Sequence, residues 1–223
     1  MYRKILLLLS VSAICFMGSA QAVDVTIEYP HNKWVQKSSP ISGATVEDLL
    51  TLEVTSQKGT WAVFTFDHEN GAYVQMRAGQ ELLAGEGFWA IQTTGKVVVA
   101  SLSGNSRLRG SSIVASNPGD ASVYAKLGNP FPYDMNVSEI YFLVGEATLS
   151  FPEAAGVYHD GSIDAYIDGA YVSLTAGDTL PVAQGFWIQL LGNEQITVQF
   201  GYNFGPPPPP TFSEAYFAAL FAE

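Results

Sequence analysis

Cysteine is all but missing from these 223 residues: the one thiol, Cys15, sits in an N-terminal leader, so the chain beyond that leader has neither disulfides nor thiolate chemistry. Stability of the remainder must rest on an apolar core. Basic residues are also scarce, 10 Lys and Arg against 21 Asp and Glu. That balance excludes nucleic acid and anionic membranes as expected partners, because phosphate recognition needs concentrated cationic side chains. Beyond the leader no stretch approaches the roughly 20 apolar residues of a membrane-spanning helix. Catalytic signatures are missing too: no HExxH, GxSxG, P-loop or GxGxxG occurs, and His31, His68 and His159 lie in separate segments. No enzyme activity and no cofactor are expected.

What is present begins with residues 1–22. Arg3 and Lys4 precede an apolar run from Ile5 through Met17, and Ala20-Gln21-Ala22 closes it with small residues at the right spacing. These are the three parts of a cleaved secretory signal. Cleavage after Ala22 leaves eight basic residues against 21 acidic ones, a net charge of −13. The expected location is secreted, at the cell surface or in the periplasm.

The dominant feature is a repeat. Residues 71–89 read GAYVQMRAGQELLAGEGFW and residues 169–187 read GAYVSLTAGDTLPVAQGFW, identical at ten of nineteen positions without a gap. Upstream, Lys33–Ile41 lies on Val123–Phe131 as an aromatic strand running into a proline turn. Thr45-Val46-Glu47-Asp48 and Asn136-Val137-Ser138-Glu139 each offer a capping side chain with an acid three residues later, which predicts a short helical turn. The offset grows from 90 to 98 between these landmarks, so the second copy holds about eight extra residues, expected near Gly156–Asp168. Runs such as Thr60–Asp67, Lys96–Leu102 and Gln195–Phe200 mix aromatic and β-branched residues between Gly and Asn punctuation, the signature of short strands. The expectation is an all-β protein of two tandem pseudo-symmetric small barrels or sandwiches produced by internal duplication. The boundaries read as a signal at 1–22, a first β repeat at 23–102, a Gly/Ser-rich linker at 103–122 and a second β repeat at 123–204.

Residues 205–223 differ in kind. Pro206–Pro210 favour polyproline II and hold the rest roughly 15 Å away at about 3.1 Å per residue. The end, TFSEAYFAALFAE, places Phe212, Tyr216, Leu220 and Phe221 on one side of a short helix capped by Ser213. Ten residues of helix are marginal alone, so this tail is expected to dock on the β core, on a second copy or on another extracellular protein.

The segment Leu127-Gly128-Asn129-Pro130-Phe131-Pro132-Tyr133, followed about 50 residues later by Ala183-Gln184-Gly185-Phe186-Trp187, resembles a pattern of uncharacterised secreted bacterial β-rich modules. The resemblance covers the second repeat and implies an extracellular β module without a known activity. In the first repeat Ser38-Ser39-Pro40 stands where the second has Gly128-Asn129-Pro130.

The aromatics allow two readings. Gly-Phe-Trp on a strand puts Phe and Trp on opposite faces, one in the core and one in a second interface, with Gly permitting close backbone approach. Alternatively Trp89, Trp187, Tyr73 and Tyr171 are stacking platforms for a polysaccharide. Asp160, Asp164 and Asp168 suggest a Ca²⁺ loop, but their four-residue spacing does not fit DxDxDG and Asp-Gly steps are ordinary hairpin turns. The sequence therefore predicts a non-catalytic exported structural or cell-surface interaction protein, self-assembling through its tail, with carbohydrate binding as the alternative.

Overall fold

The computed structural model describes residues 20–67, 71–107, 111–116, 123–192 and 195–201. The leader through residue 19, His68 and the whole of 202–223 lie outside them, and with these all of the signal but Ala20-Gln21-Ala22, the polyproline segment and the tail residues Phe212, Tyr216, Leu220 and Phe221.

The first half runs β1 (Ala20–Tyr29), β2 (Val35–Ser38), β3 (Ala44–Thr45), α1 (Val46–Leu50), α2 (Leu52–Thr55), β4 (Trp61–Asp67), β5 (Ala72–Gln75), β6 (Glu81–Leu82), β7 (Gly87–Gln92) and β8 (Val98–Arg107). The second runs β9 (Ser111–Ser116), β10 (Val123–Gly128), β11 (Met135–Asn136), a 3₁₀ turn (Val137–Glu139), β12 (Ile140–Val144), β13 (Ala147–Ser150), α3 (Phe151–Ala154), β14 (Ile163–Ile167), β15 (Ala170–Leu174), β16 (Thr179–Leu180), β17 (Gly185–Leu190) and β18 (Gln195–Phe200). The protein is all-β with short helical turns.

Each half is built on a four-stranded antiparallel sheet, β2-β7-β4-β5 in the first and β10-β17-β14-β15 in the second. The order is the same because the local signals are the same. Thr45 and Asp48 form a complete capping box, and so do Asn136 and Glu139. The β14–β15 hairpin turns on Asp168 and Gly169, both at positive φ (51° and 89°), the two-residue turn that Asp-Gly favours. Behind each four-stranded sheet lies a second layer. Phe88, Ala90 and Val63 pack against Val25, Ile27 and Tyr29 of β1, Val98, Ala100 and Leu102 of β8, and Val46, Leu49 and Leu50 of α1. In the second half Phe186, Ile188, Ala125 and Ala165 pack against Ile140 and Phe142 of β12 and Val198 and Phe200 of β18.

The expectation of barrels or sandwiches loses its barrel alternative, and two other expectations are corrected. The sheets are open layers packed face to face, and among the described residues none closes into a barrel. The stretch 103–122 is not simply a linker: β8 continues to Arg107, paired throughout with β1, and β9 occupies Ser111–Ser116, paired with β18. Since β9 pairs with β18 as β1 pairs with β8, the second half starts near residue 111. Finally, the extra residues of the second half are not near Gly156–Asp168; they form the β12–β13 hairpin, which has no counterpart between α1 and α2.

Candidate functional site: an aromatic junction between the two central sheets

Strand alternation decides which side chains meet here. On β7, Phe88 is fully buried in its own core while Gly87 and Trp89 point the other way; on β17, Phe186 is buried and Gly185 and Trp187 point the other way. These outward faces of the two four-stranded sheets lie against each other. The glycines set the distance. A Cβ on Gly87 would stand 2.3 Å from the Leu127 carbonyl oxygen, and one on Gly185 would stand 2.5 Å from the Lys37 carbonyl oxygen. Antiparallel bridges Lys37↔Gln184 and Glu86↔Leu127 join the halves beside these contacts.

The departure of Ser38-Ser39-Pro40 from Gly128-Asn129-Pro130 has its cause at this place. A Cβ on Gly128 would lie 2.1 Å from that of Ser38, so the two positions face each other and only one can carry a side chain. Ser38 uses its side chain to donate from Oγ to the Asn129 carbonyl at 2.9 Å. Asn129 is itself a buried structural clamp: Nδ2 donates to the carbonyls of Tyr133, Leu180 and Pro181, and Oδ1 accepts from Phe131 N–H. Gln184 Nε2 ties the halves further, donating to the carbonyls of Gln36 (2.9 Å) and Tyr166 (3.2 Å).

Away from the glycines the gap is filled by rings from both halves. Trp187 meets Phe66 at 5.1 Å, Tyr73 at 6.3 Å and Tyr124 at 6.4 Å; Trp89 meets Tyr166 at 5.1 Å and Tyr171 at 6.5 Å. The four aromatics read from the sequence as a candidate site thus enter one cluster. Their planes, however, cross at 65° to 88°, the edge-to-face geometry of packing. Trp89 and Trp187 are half-buried, whereas Tyr73 and Tyr171 keep 51% and 56% exposure. Burial raises the Tyr171 hydroxyl above the ordinary tyrosine value, opposed by the Trp187 indole N–H beside it.

At the centre of the cluster lies Lys126, 1% exposed. Its Nζ stands 5.0 Å from the Trp89 ring centre, 5.4 Å from Tyr73 and 5.5 Å from Trp187, three faces of a cage contributed by both halves. Burial pushes the ammonium down to about 6, with Glu86 opposing. Lys126 lies across from Trp187 in the β10–β17 register as Gln36 lies across from Trp89 in β2–β7. Neither Lys126 Nζ nor Gln36 Nε2 finds a hydrogen-bond acceptor among the described residues, although Gln36 Oε1 accepts from Tyr166 N–H at 2.8 Å.

The cluster is closed around Lys126 and open to one side. There Trp34, Phe64, Tyr73, Trp89 and Tyr166 line a cleft of about 450 Å³ with scarcely any polar surface. Trp34, 44% exposed, tilts over Phe64 at 5.9 Å and 50°.

The other sequence candidates are not brought together. Asp164 accepts from Ser173 Oγ, Asp160 accepts from Ser162 N–H, and Asp168 makes the hairpin turn; no three His, Cys, Asp or Glu converge among the described residues. His159 is buried between Phe142 and Phe151, with ring centres at 4.7 and 4.1 Å. Its Nδ1 accepts from Gly161 N–H at 3.0 Å, which assigns Nε2–H as the donor to the Phe151 carbonyl at 2.8 Å. Sequence reasoning missed Lys126, Gln36, Trp34, Phe64 and Tyr166. Strand alternation puts Lys126 on the face of Tyr124, the one local signal that could have found it.

The geometry defines a β protein with an aromatic cleft at an internal junction. The chain matches no family model, no curated protein and no solved structure.

Proposed function

We propose that this is a non-catalytic exported interaction module, and that its recognition site is the cleft lined by Trp34, Phe64, Tyr73, Trp89 and Tyr166. The observation that carries the reading is that the rings at this junction are used in two ways. Tyr73, Trp89 and Trp187 enclose Lys126 on one side, while on the other Trp34 and Tyr73 stand about half exposed over an apolar cleft of about 450 Å³. Such a cleft, apolar and bordered by a few donors, is the usual form of a ligand site. The leader at 1–22 supports export. The shared strand order of the two central sheets, their repeated sequence and the matched glycine contacts support an origin by internal duplication, with the cleft made possible by pairing the two copies.

The polysaccharide reading is the weaker one for these rings. A pyranose stacks on a flat, solvent-facing ring and needs many hydrogen bonds beside it, whereas Trp89 and Trp187 meet their neighbours edge to face and the cleft is nearly all apolar. The test is a panel of soluble polysaccharides and of apolar and proline-rich peptides. It is read by tryptophan fluorescence on the intact chain and on Trp34→Ala. A ligand whose binding is lost in Trp34→Ala supports the cleft, and a panel in which the two proteins respond identically to every member sinks it.

A further inference from the structure

Building on the reading of the cleft as a recognition site, we propose that its occupant is the Pro206–Pro210 segment of a second copy of this chain. The lining favours proline. A polyproline helix has no N–H groups to satisfy, presents flat apolar rings on a three-residue ridge, and docks in grooves walled by tryptophan and tyrosine. The tilted pairs Trp34–Phe64 (50°) and Trp89–Tyr166 (65°) form wedges suited to such ridges. The Trp34, Trp89, Tyr73 and Tyr166 side chains each carry a donor for a proline carbonyl. Five prolines span roughly 15 Å.

The route of the chain selects a second copy. Phe200, at the end of β18, packs at 6.3 Å on Phe186, the face of β17 opposite to Trp187 and the cleft. The chain therefore departs from Gly201 in an outer layer, with stacked sheets about 10 Å apart between that point and the junction. Only Tyr202–Gly205 separate Gly201 from the first proline, at most about 18 Å of extended chain. The β10-β17-β14-β15 sheet thus stands between the departing chain and the cleft, whereas the tail of a second copy meets the cleft from its open side without rounding that sheet. A tail in the neighbour's cleft is a head-to-tail contact, which extends into a chain of copies unless it closes.

The experiment uses the full exported chain and two full-length variants. Trp34→Ala damages the cleft and leaves the tail; replacement of Pro206–Pro210 by serine does the reverse. Wild type should gain mass with concentration in sedimentation velocity, and each variant alone should need at least tenfold more protein to do so. Mixed together, the two variants should form a 1:1 dimer that does not extend, because one intact tail meets one intact cleft. Trp34→Tyr should restore assembly, which separates recognition from a folding defect. Wild type that stays monomeric throughout, or that assembles equally well with either lesion, overturns the proposal. The ligand panel then decides the rest: another ligand lost in Trp34→Ala leaves the cleft as a site with a different occupant, and none leaves neither reading standing.

Discussion

Replacing Lys126 by Met should stabilise the protein. Lys126 is sealed among three rings and finds no acceptor among the described residues, and burial lowers its ammonium from 10.5 to about 6. Between those values the unfolded chain holds a proton on this side chain that the folded protein has lost, so folding stability rises with pH across the window. At one pKa unit per about 1.4 kcal/mol, deprotonating the lysine on folding costs about 5 kcal/mol at pH 7 and about 2 kcal/mol at pH 9. Cation–π attraction of the rings for the charged form raises the folded value and so lessens this cost by about 0.5–2 kcal/mol. Methionine fills a similar volume without the ammonium. Lys126→Met should therefore be more stable by about 2–5 kcal/mol at pH 7, and its advantage should shrink by about 1.4 kcal/mol per unit as pH rises toward 9.5. Urea unfolding of both proteins from pH 6.5 to 9.5 measures this directly. A variant less stable than wild type, or a difference that does not change with pH, would mean that the cage holds Lys126 charged and that the junction depends on it.

The close approach of the two halves is tested at its glycines. Gly87→Ala and Gly185→Ala each push a methyl into a carbonyl of the opposite half and should cost about 1–3 kcal/mol, whereas Gly177→Ala, with nothing within 4 Å, should stay within about 0.5 kcal/mol in the same thermal melts. Equal effects at Gly185 and Gly177 would refute the close-approach argument. His159 is held neutral, its value lowered first by burial, so stability should fall as pH drops through the ordinary histidine range while the unfolded chain takes up the proton. In an NMR titration its ring resonances should move only below that range, and a normal midpoint would count against the buried assignment.

Much of the local structure was legible because its causes are local. Gln195–Phe200 is a strand over that span, and Trp61–Asp67 one residue inside the predicted run. Thr45 with Asp48 and Asn136 with Glu139 cap as their spacing requires, and Asp168-Gly169 turns as Asp-Gly should. Gly-Phe-Trp faced two ways, as its alternation implied. What escaped has distant causes. The polar stretch after Leu102 reads as a linker because its pairing partners, β1 and β18, lie about 80 residues away in either direction. The burial of Lys126 leaves no local trace because two of the rings that cover it come from Tyr73 and Trp89, in the other half.

The same separation explains why residue type alone could not choose between packing and recognition. Ser38 sits at the contact of the two halves, and Trp34 lies four residues before it along the same strand direction, about 13 Å away at 3.3 Å per residue. Two sheets pinned together at Gly87, Gly128 and Gly185 diverge with distance from the pin, because each carries its own twist. Close to the pin the rings interlock and enclose Lys126; further out Trp34 and Phe64 tilt against each other within one half, and the cleft opens. Its width is thus set by the glycine contacts, which neither Trp34 nor Phe64 touches. Widening the junction by Gly185→Ala should then weaken a cleft ligand, and a bound ligand should in turn stabilise the paired halves by RT ln(1 + [L]/Kd), since unfolding destroys the site. A ligand that gave no such protection would have to bind elsewhere.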